Sequence, residues 1–225
     1  METAPDFVMV LSLERTGGTS VFQSLKAAVG QAPLAHLHFF DSDRYRGASD
    51  TPAKAAARAT KREREIQAKA LLDDESLNRV IFTVMRDPFG RLVSSLWFTK
   101  RDLLMRSYDA ARDSFEPRAL EQIQHRIALV LEKEAGYGRE VYEPLGLPAR
   151  PAPGRYRTKG GARVYALDFA RLGEDFGAAT AEVFGKAYPL VHVNGGAMIG
   201  DAKGYAAFKR YCAEVLTPER LTKVS

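Results

Sequence analysis

The chain has 225 residues, of which 45% are hydrophobic and 27% charged, and its formal net charge is +5. These proportions are typical of one globular domain and exclude a disordered or fibrous protein. The apolar runs are too short to span a bilayer, no basic segment with an apolar core opens the chain, and the single cysteine, Cys212, excludes a disulfide within it. We therefore expect one domain over residues 1–225, without a transmembrane segment, in the reducing cytoplasm.

An apolar run, a glycine-containing turn and an amphipathic segment follow one another near the N-terminus. Residues 7–13 are apolar except for Ser12, which predicts a buried strand of a parallel sheet, and residues 21–29 have helical spacing. Glycines let the backbone approach a ligand, helix-start N–H groups face anions, and hydroxyls and a guanidinium add donors. The turn therefore predicts a phosphate cradle, although an ordinary capped turn is the alternative. We call its residues the cradle: Arg15, Thr16, Gly17, Gly18, Thr19 and Ser20.

Two histidines follow the predicted helix within residues 35–40. In an extended segment His36 and His38 point to the same face. Histidine is the usual base for a hydroxyl proton near neutral pH, so His38 is our first candidate for a catalytic base and His36 the second. A structural hydrogen bond to a backbone carbonyl at the end of the sheet is the alternative role.

A second buried strand is predicted over residues 80–85, and Pro88 suits the first turn of the helix that follows. Arg86 then stands at the carboxyl end of a strand, which is the edge where open α/β sheets hold ligands. Ser94 lies about two turns into the helix.

The remaining chain predicts further alternation of helices and strands. We expect a helix over residues 112–138 that stops at Gly136 or Gly138, a loop over residues 142–161, a strand over 163–169 and a helix over 176–184. The basic end of the loop, residues 150–161, is a candidate lid over an acceptor or cofactor, with a disordered surface loop as the alternative. The predicted fold is a three-layer α/β sandwich with a mainly parallel central sheet.

With these motifs together, the chain resembles the sulfotransferases that use 3′-phosphoadenosine-5′-phosphosulfate (PAPS), especially bacterial capsular-polysaccharide and carbohydrate sulfotransferases. The resemblance covers about the first 100 residues and implies the P-loop-NTPase-like fold of that family. It implies that the cradle holds the 5′-phosphosulfate, that Arg86 and Ser94 hold the 3′-phosphate, and that a strand with a His-x-His pattern follows the first helix.

The resemblance implies transfer of a sulfuryl group from PAPS to an acceptor hydroxyl, with a carbohydrate as the expected acceptor. Arg15 stands where the family usually has lysine; it can neutralise a leaving phosphate but stays protonated. One alternative is a P-loop nucleotide kinase or hydrolase, whose Gly-Lys-Ser/Thr ending is missing here. Another is a non-catalytic nucleotide- or glycan-binding protein. We expect no metal and no nucleic acid, because neither a Cys/His cluster nor a nucleic-acid-binding signature is present.

Overall fold

The computed structural model describes residues 4–13, 16–38, 52–193 and 202–215. Two compact units divide the chain, one of Met1–Met85 with Gly138–Val191 and one of Arg86–Tyr137 with His192–Ser225. The elements of the described residues are, in chain order, β1 (Phe7–Leu11), α1 (Gly18–Leu25), β2 (Leu34–Leu37), α2 (Pro52–Asp73), β3 (Arg79–Met85), α3 (Pro88–Ser107), β4 (Tyr108–Asp109), β5 (Ser114–Phe115), α4 (Pro117–Tyr142), β6 (Gly154–Arg157), β7 (Arg163–Asp168), α5 (Leu172–Phe184) and α6 (Ala202–Val215).

A five-stranded sheet in the order β2-β1-β3-β7-β6 forms the centre of the first unit. The first four of these strands run parallel, and β6 pairs antiparallel with β7. β1 is buried along its whole length, as its uninterrupted apolar sequence predicts for a strand covered on both faces. The expected α/β architecture with a mainly parallel sheet is thereby confirmed.

Helices cover both faces of this sheet. On one face the apolar side chains of α1 and α5 pack against alternate residues of β1, β3 and β7, which form one buried cluster. On the other face Thr83 of β3 shares a hydrogen bond of 2.8 Å with the hydroxyl of Tyr142, at the end of α4. Arg79 at the start of β3 donates to the carbonyl oxygen of Leu72 in α2. The site described below lies at the carboxyl end of β1.

The second unit has its own apolar core, formed by α3, α6, the first turns of α4 and the β4–β5 hairpin. The Trp97 ring contacts the rings of Tyr205 and Phe208, and Cys212 is fully buried beside them. Helix α3 begins at Pro88, as predicted, and the Asp87 side chain caps it by accepting from a backbone N–H of the first turn. None of the helices in the described ranges is both long and apolar enough to cross a membrane.

The structure corrects two predictions in the segment that joins α4 to β7. Helix α4 continues past Gly136 and Gly138 to Tyr142, so the predicted stop is wrong. Gly138 has a packing role instead, because a Cβ there would lie 2.1 Å from the carbonyl oxygen of Ala149. Residues 142–161 are also not one continuous loop, because residues 154–157 form β6, which a turn at Gly161 (φ 83°) joins to β7.

Candidate active site at the end of the first strand

Ser12, the residue after β1, is the centre of a compact polar site. It is fully buried, and its N–H donates to the carbonyl oxygen of Leu37 at 3.1 Å, which continues the hydrogen-bond ladder between β1 and β2. Its own carbonyl oxygen lies 2.7 Å from Nδ1 of His38, and its hydroxyl lies 3.3 Å from Nε2 of His36. One residue at the end of β1 therefore holds both candidate histidines.

The contact between His38 and Ser12 fixes the chemistry of the His38 ring. A backbone carbonyl oxygen can only accept a hydrogen bond, so Nδ1 of His38 carries the proton. In the neutral ring Nε2 then has the lone pair, which is the arrangement that a general base needs. The hydrogen bond to a carbonyl, named above as a structural alternative, is thus compatible with catalysis and orients the base.

His36 lies in a different environment. Its ring stacks on Phe22 of α1 with centroids 5.1 Å apart and meets the His38 ring edge-on at 4.8 Å. Burial, together with the nearby charge of His38, lowers the pKa of His36 to about 4. His36 is therefore a neutral ring at physiological pH, and proton uptake near neutrality is unfavourable at this position. These features suit a residue that positions His38.

The cradle forms a tight turn into α1. Gly17 has φ 90°, the left-handed conformation that glycine adopts without strain, and it caps the helix. The Thr16 hydroxyl donates to the carbonyl oxygen of Leu13 at 2.7 Å and so stabilises the turn. The N–H groups of Ser20 and Val21 donate to the Gly17 carbonyl oxygen. Among the described backbone bonds, the amides of Gly17, Gly18 and Thr19 have no acceptor, as expected at a helix start.

Gly18 lies close to Ser12 and His36. A Cβ added at Gly18 would lie 1.8 Å from the Ser12 hydroxyl oxygen and 3.2 Å from Nε2 of His36. This close approach is therefore possible only because Gly18 has no side chain. Within the first unit, the structure thus places Gly18 against Ser12 and His36, and Ser12 against His38. Thr16, Gly17, Thr19 and Ser20 flank Gly18 in the same turn. Arg15 lies outside the described residues.

Arg86 and Ser94 belong to the second unit. Arg86 follows β3 directly and is partly buried, and Ser94, also partly buried, lies two turns into α3. Their assignment to a 3′-phosphate stays a prediction.

The other candidate groups lie elsewhere. His125 on α4 and His192 belong to the second unit, and both are exposed. Burial raises the pKa of the Cys212 thiol to about 12, so this residue is an inert part of the core. The described residues contain no group of three histidine, cysteine, aspartate or glutamate side chains that could hold a metal ion.

Ser12 is the site residue that motif reasoning does not find. Its signal in the sequence is small: it is the one hydroxyl in the otherwise apolar residues 7–13. A polar residue at the carboxyl end of a buried strand must find hydrogen-bond partners, and here those partners are the two histidines.

Comparisons of the chain with family models, with curated proteins and with solved structures find no match. The function proposed for this site consequently depends on its own geometry and on the motif resemblance described above.

Proposed function

We propose that the chain is a sulfotransferase that moves a sulfuryl group from PAPS to an acceptor hydroxyl, with His38 as the general base. The observation that carries the proposal is the 2.7 Å contact between Nδ1 of His38 and the Ser12 carbonyl oxygen, next to the start of α1. It leaves Nε2 of His38 as a proton acceptor, on a ring held by Ser12, the residue that Gly18 of the cradle also approaches. A base beside an anion-binding turn is the minimal arrangement for transfer of a charged group to a hydroxyl.

The cradle fits a phosphosulfate group. The amides of Gly17, Gly18 and Thr19 stand at the positive end of α1, where backbone N–H groups and the helix dipole favour an anion. When bound, PAPS supplies the reactive sulfuryl group and a phosphate that departs with negative charge. The amides would stabilise that charge, and by resemblance Arg15 would add a permanent positive charge. Fixed positions and electrostatics accelerate the related phosphoryl transfers in the same way.

His36 supports proton transfer to His38 without taking part in it. Nε2 of His38 would accept the proton of the acceptor hydroxyl as the oxygen attacks sulfur. The ring centroid of His36 is 4.8 Å away, and a charged neighbour at that distance would oppose the new positive charge. Because the low pKa of His36 keeps that ring neutral, it does not oppose a positive charge on its neighbour.

The finer assignments rest on the resemblance. They are the P-loop-like sulfotransferase fold, a 3′-phosphate held by Arg86 and Ser94, and a carbohydrate acceptor. The fold fits the first of these, because the cradle follows the first strand of an open, mainly parallel sheet, where ligands bind beyond the carboxyl ends of the strands. A location in the cytoplasm is proposed on a different ground, the single cysteine.

The catalytic role of His38 is tested by sulfuryl transfer from labelled PAPS to a panel of sugar acceptors. We expect His38→Ala to reduce transfer by roughly 10²–10⁴-fold, the usual contribution of a positioned general base, with little change in nucleotide affinity. His36→Gln is the matched control, because glutamine can keep a hydrogen bond to Ser12, and we expect it to retain most of the transfer. Normal turnover by His38→Ala would refute the assignment of the base.

The donor is tested separately by calorimetry with adenosine 3′,5′-bisphosphate. Arg86→Ala should weaken binding by about tenfold or more, because it removes a charge-assisted contact. Equal affinity of the unaltered protein for adenosine 5′-monophosphate would show that no 3′-phosphate site exists.

A further inference from the structure

Three arginines stand on adjacent strands at the end of the sheet opposite the cradle. Arg79 begins β3, Arg163 begins β7, and Arg157 ends β6. Arg163 is the register partner of Arg157 on one side and of Val80, which follows Arg79, on the other. Beyond this end of the sheet the side chains of all three arginines border the same space.

This space is an open cavity of about 410 Å³, lined by the three arginines, Glu75, Asn78 and the turn at residues 160–161. The volume falls within the range of small-molecule sites. Arg79 is 5% exposed and Arg163 is 9% exposed, so two of the guanidinium groups are largely removed from solvent. Three guanidinium groups in one wall give the cavity a positive potential, which favours an anion.

The contacts described for Arg79 and Arg157 leave their positive charges in place. Arg79 donates to three carbonyl oxygens, those of Leu77 at 3.1 Å, Leu72 at 2.5 Å and Gly160. Arg157 donates to the carbonyl oxygen of Gly161 at 3.3 Å. Carbonyl oxygens orient a guanidinium group, but they carry no formal negative charge that would neutralise it. A guanidinium also has five N–H donors, so these bonds leave further donors for a ligand.

Two carboxylates lie near the three arginines. Glu75 lines the cavity and is exposed, and Asp74, also exposed, has its pKa lowered chiefly by hydrogen bonds from Ser76 and more weakly by the charge of Arg79. Exposed carboxylates are well solvated and only partly offset buried guanidinium groups.

The register of β6 and β7 supplies an independent argument. Arg157 and Arg163 lie directly opposite each other in an antiparallel pair, where side chains share one face and like charges are destabilising. Two residues earlier on the same strand, Arg155 is instead opposite Tyr165, and its guanidinium forms an ion pair of 2.5 Å with Glu182. The β6 arginine at the cavity thus faces a like charge, whereas the one beside it is neutralised.

We propose that this cavity is a second anion site, which binds a sulfate or phosphate group through Arg79, Arg157 and Arg163. Guanidinium groups match the oxygens of such groups with paired hydrogen bonds, and three of them reaching one space from adjacent strands suit a tetrahedral oxyanion. The site is distinct from the cradle, because it lies at the amino ends of β3 and β7, and it does not depend on the function proposed above.

The test is calorimetry with inorganic phosphate, glucose 6-phosphate and glucose 6-sulfate, with glucose as the neutral control. Each titration is run both without and with adenosine 3′,5′-bisphosphate, which occupies the cradle. We expect Arg157→Gln to weaken oxyanion binding at least tenfold. Arg155→Gln is the matched control, because it removes the same charge from the same exposed strand but outside the cavity, and it should change the affinity less than threefold. Both positions are exposed, so both variants should fold.

The comparison between the two variants decides the proposal. Binding of any of the three oxyanions that Arg157→Gln weakens and Arg155→Gln preserves supports the site, and the tightest of the three identifies the source of the group as free ion, phosphate ester or sulfate ester. Equal affinities of the two variants, or no binding of any oxyanion by the unaltered protein, overturn it. If the bisphosphate itself fails to bind, the donor assignment is wrong, but the difference between the variants still reports on the cavity.

Discussion

Substitution of Gly18 by alanine is a direct test of the contact that joins the cradle to Ser12. The new Cβ would lie 1.8 Å from the Ser12 hydroxyl oxygen and 2.5 Å from the Ser12 Cβ. An ordinary contact needs about 3.5 Å, so the helix start or the strand end must move by more than about 1 Å. Ser12 follows β1, a fully buried interior strand of the sheet, and cannot easily give way.

The expected loss of stability follows from two opposing effects. Overpacking of a rigid site costs about 1–3 kcal/mol or more, whereas alanine in place of glycine favours a helix by up to about 1 kcal/mol. We expect a net loss of about 2 kcal/mol, which for a chain of this length lowers the melting temperature by roughly 4–8 °C. Thermal unfolding followed by circular dichroism measures the shift.

Two comparisons make the result specific. Gly177→Ala in α5 is the same substitution in the same unit, but nothing lies within 4 Å of its added Cβ, so it should leave stability unchanged or raise it. In a Ser12→Gly background, where both clashing atoms are gone, Gly18→Ala should cost at least about 1 kcal/mol less than in the unaltered protein. Equal melting temperatures for Gly18→Ala, Gly177→Ala and the unaltered protein would refute the close approach.

Three further predictions concern buried groups. The pKa of His36 is about 4 in the folded state and 6.5 for an unperturbed histidine, so the unfolded chain binds more protons between these pH values. The free energy of unfolding should therefore fall as the pH drops from 6.5 to 4, and in urea titrations His36→Gln should show a weaker dependence on pH. A pKa near 6.5 for His36, measured by NMR, would contradict its burial. Cys212, with its pKa raised to about 12, should react with iodoacetamide near pH 8 roughly a thousandfold more slowly than a free thiol. Equal rates of Cys212 alkylation for the folded protein in buffer and the unfolded protein in urea would exclude its burial. Tyr142→Phe should lower the free energy of unfolding, measured by urea titration, by about 1–2 kcal/mol, because it removes the Tyr142 hydroxyl that bonds to the buried Thr83 hydroxyl. An unchanged midpoint of the urea transition would argue against that hydrogen bond.

The elements that could be predicted are those whose signal is local. The apolar runs of β1 and β3, the helical spacing of α1 and the proline at the start of α3 all mark their elements within a few residues, and the structure confirms them. Strand β6 has no such signal. Its sequence, Gly-Arg-Tyr-Arg, is mostly exposed, and it becomes a strand because the turn at residues 158–162 folds it back onto β7. Gly138 escapes prediction for the same reason, because its role is a contact with Ala149 across a change of chain direction.

In the candidate site, too, the local sequence pattern predicts some features, and long-range contacts determine the others. Strand periodicity predicts that His36 and His38 share a face, and their rings are indeed in contact. The features that distinguish the two histidines cannot be predicted from that pattern. They depend on Ser12, which is 26 positions before His38 in the chain, and on Phe22, which approaches from α1. Long-range contacts of this kind set the tautomer of one ring and the pKa of the other.

The position of β6 at the margin of the sheet also bears on self-association. Among the described strands it pairs with β7 alone, so its outer backbone N–H and C=O groups are available to a strand of another molecule. Such an edge promotes aggregation unless charge keeps other edges away. Arg157 supplies that charge, because it is exposed and, unlike Arg155, has no ion pair described for it. The protein should therefore be more soluble at low ionic strength than in concentrated salt, where the repulsion between approaching edges is screened.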